Sequence, residues 1–123
     1  MLWVGASFLF LWIDICIGHL NGEHLKTVML IPIIFLPCVV LSALAAAFWP
    51  NSLSLKFLRV TCLLACGVGG LGFYFHWMRI QSSLSGSMTI SIFVRLIRYP
   101  PLLAPLAISG LGILGLMIVR KRP

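Results

Sequence analysis

TVMLIPIIFLPCVVLSALAAAFW, residues Thr27 to Trp49, is the stretch that decides the fold. It carries no charge and is long enough to cross a bilayer, for which a helix needs about 20 apolar residues. Lipid offers the backbone no hydrogen-bond partners, so such a run must satisfy its own N–H and C=O groups as a helix. Pro32 and Pro37 lie inside it and predict kinks, which spanning helices tolerate when neighbours satisfy the freed carbonyls. Trp49-Pro50-Asn51-Ser52 closes the run with an interfacial aromatic and a helix breaker.

The same pattern extends outward in both directions. Apolar runs at about 2–20, 55–78 and 101–119 give, with 27–49, four expected spans and very little chain outside the bilayer. The expected fold class is therefore all-α membrane, one transmembrane domain over 1–123. Composition agrees: 61% of residues are hydrophobic, 9% are charged and the mean hydropathy is +1.12, where a soluble domain carries about 25% charge. The first run has no positive n-region and is interrupted by Asp14, so it reads as a retained span and not as a signal peptide. Asn21-Gly22 is a turn signal, and 21–26 is a short polar connection.

Between the third and fourth runs, the second half of 81–99 has a helical polar stripe. Ser87, Ser91, Arg95 and Arg98 fall on one side, and Met88, Ile90, Ile92, Phe93, Leu96 and Ile97 cover the rest. An amphipathic helix over about 87–98, lying in the membrane interface, is the expectation. A short re-entrant or partner-contacting helix is the alternative. Pro100 pushes Tyr99 out of helical geometry and ends it.

The net charge is +7, from nine Lys and Arg against two acids. The cations are not clustered on a polar domain, which argues against a nucleic-acid partner. They sit at the ends of apolar runs, where anionic lipid headgroups are the natural partners. Four spans place both termini on one side, with Lys56, Arg59, Arg120, Lys121 and Arg122. The other side holds Lys26, Arg79, Arg95 and Arg98. The larger positive set marks the cytoplasmic side, so both termini are expected there.

Asp14 is the outstanding residue, because an ionised carboxylate in hydrocarbon costs at least about 2.5–3.5 kcal/mol. Its helical face also carries Ser7, Gly18 and Asn21, a narrow polar stripe expected to point into the bundle. It reads either as a proton- or cation-coupling site or as a structural hydrogen bond or ion pair. In the third run, Cys62, Ala65, Gly69, Gly72, His76 and Arg79 share a face, a small-residue seam that lets helices approach closely. His76 and Arg79 are thus candidate partners for Asp14. Ser42, Ala43, Ala46 and Ala47, and Gly110, Gly112 and Gly115, are the corresponding small positions of the second and fourth runs.

The topology gathers His19, Glu23, His24, His76, Arg79, Arg95 and Arg98 at one membrane surface. Haem or a metal ion would need imidazoles converging there, His76 with His24 or His19. Bland interfacial histidines are the simpler reading, and no cofactor is expected. Cys16, Cys38, Cys62 and Cys66 all fall in apolar runs and read as small buried hydrophobes. No nucleophile triad, carboxylate pair, phosphate-binding glycine loop or CxxC motif is present, so an enzyme is not expected.

Gly72-Phe73-Tyr74-Phe75-His76-Trp77, followed by Tyr99-Pro100-Pro101-Leu102-Leu103-Ala104-Pro105-Leu106, resembles a pattern in small uncharacterised bacterial four-helix integral membrane proteins. There a span-ending His precedes a Pro-Pro-x-x-Ala-Pro helix start. The resemblance covers the second half best, implies a bacterial inner membrane and brings no activity. In size and in its first-span acid the chain also resembles the small multidrug-resistance exporters, but their acid is a glutamate and their aromatic and glycine pattern is missing. The expected function is a non-enzymatic accessory or structural subunit of a membrane complex, or a homo-oligomer. The alternatives are a proton- or cation-coupled transporter using Asp14 and a haem- or metal-binding electron-transfer subunit.

Overall fold

A computed structural model describes residues 1–20, 27–83 and 103–120. Four helices follow one another in it: α1 (Leu2–Leu20), α2 (Thr27–Phe48), α3 (Ser52–Ser83) and α4 (Leu103–Arg120). The expected interfacial helix at 87–98, with Arg95 and Arg98, lies outside the described residues. So do Glu23, His24, Lys26, Lys121 and Arg122.

The helix boundaries follow local chemistry. α3 starts at Ser52, earlier than the expected 55, because Asn51 caps it. The Asn51 side-chain oxygen accepts the Ser54 backbone N–H at 2.8 Å, and Ser54 Oγ accepts the Asn51 N–H at 3.1 Å, a reciprocal cap that satisfies two otherwise orphaned donors. Ser54 Oγ also donates to the Trp49 carbonyl at 2.7 Å, which tightens the α2–α3 connection. At its other end α3 continues past the expected Met78 to Ser83. Hydropathy falls at Arg79, but no Gly or Pro stops the backbone there. At 1.5 Å per residue its 32 residues span about 48 Å. Arg59 and Arg79 are twenty residue steps apart, about 30 Å, with no charge between them. That spacing equals the hydrocarbon thickness of a bilayer.

The helices close a ring in chain order: α1 packs on α2, α2 on α3, α3 on α4 and α4 on α1, while α1 and α3 lie diagonally, as do α2 and α4. Neighbours run antiparallel. Gly5 meets Val40 and Ala43, while Trp12 reaches Ile33. Along α3 from Cys62 to Gly72, the facing positions of α4 fall from Gly115 to Pro105. Phe8, Leu36, Val39, Leu58 and Cys62 are fully buried and fill the centre.

Among the described residues, three helical segments are long and apolar enough to cross a membrane: Met29–Phe48, Ser52–Gln81 and Leu103–Arg120. α1 is shorter in its apolar part, Leu2–Gly18. Large apolar side chains face outward on every helix, an arrangement compatible with a membrane protein.

Candidate functional site

Three of the four seams of the ring are joined by a polar link. Between α1 and α2, Trp12 Nε1–H donates to the Ile33 carbonyl at 2.8 Å. That carbonyl lies four residues before Pro37, which has no N–H to offer it. The indole replaces the missing intrahelical bond. Between α2 and α3, the hydroxyls of Ser42 and Thr61 share a hydrogen bond at 2.8 Å. Ser42 also reaches the Val39 carbonyl, and Thr61 the Phe57 and Leu58 carbonyls, so neither buried hydroxyl lacks a partner. Between α3 and α4, Ser109 Oγ–H donates to the Cys66 carbonyl at 3.1 Å, and the Cys66 thiol points back at the Ser109 carbonyl at 3.7 Å.

The α3/α4 seam is the tightest. A Cβ on Gly69 would collide with the Ser109 hydroxyl and lie 2.5 Å from the Pro105 carbonyl oxygen. One on Gly112 would lie 2.8 Å from the Cys62 carbonyl oxygen, and one on Gly115 would lie 2.5 Å from the Cys62 sulfur. The expected small-residue seam of α3 is therefore real from Cys62 to Gly72. Ser42, Ala43 and Ala46 are likewise buried, and Ala47 is half-buried. Cys62 is buried and Cys66 half-buried, both as free thiols. Cys38, expected to be buried, is exposed, and Cys16 is half-buried.

The fourth seam, α1 against α4, has no polar link among the described residues. It opens outward as a groove of about 660 Å³ lined by Ser7, Phe10, Leu11 and Asp14 of α1 and by Ala107, Gly110, Leu111 and Leu114 of α4. This corrects the expectation for Asp14. Its stripe does not point into the bundle: Asp14 and Gly18 are exposed, and Ser7 is half-buried at the groove. The inward face of α1 belongs to Val4, Phe8 and Ile15. Periodicity placed the polar stripe correctly but could not say whether polar or apolar residues face the neighbours. Val4, Phe8 and Ile15 take the inward face of α1 because they fill the space between the helices at close-packed density.

Asp14 is also not brought to His76 or Arg79. α3 is diagonal to α1, and no hydrogen bond or ion pair joins Asp14 to any described residue. His76 is half-buried and Arg79 exposed, and each has an interaction of its own. Parallel α1 and α3 do end on the same side, as the gathering of His19 with His76 and Arg79 required. The side chain of His19 and all of His24 lie outside the described residues, so the expected imidazole pairing does too. Among the described residues no three His, Cys, Asp or Glu side chains group to hold a metal ion.

No protein-family model, curated protein or solved structure matches the chain. The reading of the site therefore rests on its own geometry.

Sequence reasoning missed the Trp12–Ile33 and Ser109–Cys66 links, and the Ser42–Thr61 pair as well. The first had a signal. A proline at 37 frees the carbonyl at 33, and Trp12 is the nearest donor on an adjoining span. Choosing it needed the α1/α2 register. The second had no signal, since nothing in the sequence says which backbone carbonyl a serine will find.

Proposed function

We propose that this chain is a non-enzymatic accessory or structural subunit of a membrane complex, with all four helices crossing the bilayer. One observation carries the reading: the outer surface is apolar on all four helices, through residues such as Phe10, Ile34, Leu41, Leu63, Leu71 and Ile113. In water this surface would cost about 25 cal/mol per Å²; in lipid or against other spans it costs nothing. The interior is filled by side chains and leaves the polar chemistry to small interhelical links.

Lys56, Arg59 and Arg120 share one end of the ring with Met1, which favours a cytoplasmic position for both termini in a bacterial inner membrane. Arg95, Arg98, Lys121 and Arg122 then contact anionic headgroups on the two faces. Extraction in a mild detergent, followed by sizing and subunit identification, tests the reading. The expected result is a stoichiometric partner or a defined homo-oligomer. A monodisperse monomer overturns it.

A second reading is a small proton- or cation-coupled transporter. The position of Asp14 in a groove open to the outside favours it, because the carboxylate is accessible. Reconstituted vesicles carrying Asp14→Asn would then lose coupled uptake; unchanged uptake removes this reading.

A further inference from the structure

Asp14 lies six residue steps from the end of α1, about 9 Å along the axis, within a segment read here as membrane-spanning. A carboxylate at such depth needs a partner, a proton or water. The chain itself supplies no described partner. Among the described residues, every other seam of the ring is closed by a polar link, and the seam with the groove at Asp14 is not. Gly110 lines the groove, and a Cβ there would meet nothing within 4 Å; the same holds for Gly18, on the Asp14 face of α1 beside the groove. A helix could therefore approach α1 and α4 closely along this line.

Resting on the subunit reading above, we propose that the α1/α4 groove receives one transmembrane helix of a different membrane protein, which carries a lysine or arginine at the depth of Asp14. Charge complementarity selects this occupant. Pairing with a cation inside the assembly removes the cost of the isolated carboxylate, and the cation's own cost as well. Among the described residues, a second copy of this chain in the same orientation brings no cation to the depth of Asp14. Its described cations Lys56, Arg59 and Arg120 sit at the opposite end of the ring. Arg79 lies further toward the near end: facing residues across the two α4 seams set Asp14 level with about Gly72, some 10 Å short of Arg79 along the axis. A like-oriented copy would instead set Asp14 against Asp14.

Photo-crosslinking in intact membranes tests the proposal. A benzoylphenylalanine is placed at Leu114, at the groove, and separately at Leu63, on the outer face of α3. The crosslinked peptide is then sequenced. The expected product at Leu114 is a transmembrane peptide of another protein with Lys or Arg two to three helical turns from the crosslink, because Leu114 lies nine residue steps, about 13 Å, from Pro105, the α4 position level with Gly72 and Asp14. Its yield should fall about tenfold or more in Asp14→Asn and persist in Asp14→Glu. Exchanging the charges, Asp14→Lys with the partner's cation changed to Asp, should restore it. Unchanged helical content of the purified Asp14→Asn chain by circular dichroism shows that the fold is intact. A Leu114 crosslink to another copy of this chain, to lipid alone or to a span without a cation overturns the proposal, as does full yield in Asp14→Asn. If crosslinks form only from Leu63, the groove proposal fails while the subunit reading stands. If neither site crosslinks protein and the extracted chain is a monomer, both fail.

Discussion

Replacing Trp12 by Phe removes one hydrogen bond, and the structure says which acceptor then goes without. The Ile33 carbonyl has lost its intrahelical donor to Pro37 and accepts the indole N–H at 2.8 Å. Interhelical hydrogen bonds in membranes measure about 0.6 kcal/mol on average and about 1.7 at most. This one should fall near the upper value, because without it the carbonyl is left bare in an apolar surrounding. Losing part of the half-buried indole adds about 1 kcal/mol of packing. Trp12→Phe is therefore expected to cost about 2–3 kcal/mol. In a Pro37→Ala background the alanine N–H satisfies Ile33, so Trp12→Phe should cost only the packing share, about 1 kcal/mol. The predicted coupling between the two sites is about 1–1.5 kcal/mol. It can be measured by unfolding the four proteins of the cycle in mixed micelles of rising dodecyl sulfate content. Fluorescence of the tryptophans common to all four follows the transition. Additivity within about 0.5 kcal/mol would refute the reasoning, since it would mean that the proline and the indole do not serve the same carbonyl.

The glycines give a paired prediction in the same assay. Gly69→Ala forces backbone atoms of α4 away and should cost about 1–3 kcal/mol, whereas Gly67→Ala, whose Cβ meets nothing within 4 Å, should be neutral or stabilise by up to about 1 kcal/mol. At the α2/α3 link, Ser42→Ala and Thr61→Ala should each destabilise by about 1 kcal/mol, and the double variant should cost less than their sum. Strict additivity would show that the shared bond carries nothing.

The sequence by itself determined where the four described helices lie, because a long apolar run that is to sit in lipid must satisfy its own backbone hydrogen bonds as a helix. α1 and α2 match 2–20 and 27–49 almost to the residue. It also determined the small-residue seam of α3, since glycine and alanine spacing reads directly as a surface that admits another backbone. Where α3 stops was not legible, because hydropathy marks where lipid ends and not where a helix does. Tertiary structure alone decided which face of α1 looks inward. A stripe holding Ser7, Asp14 and Gly18 is visible in the sequence, but its direction depends on which helices are neighbours. The ring puts α3 diagonal to α1, gives the interior to Phe8 and Ile15, and leaves Asp14 in an outward groove. That order comes from helix–helix register, which forms only when all four helices pack together.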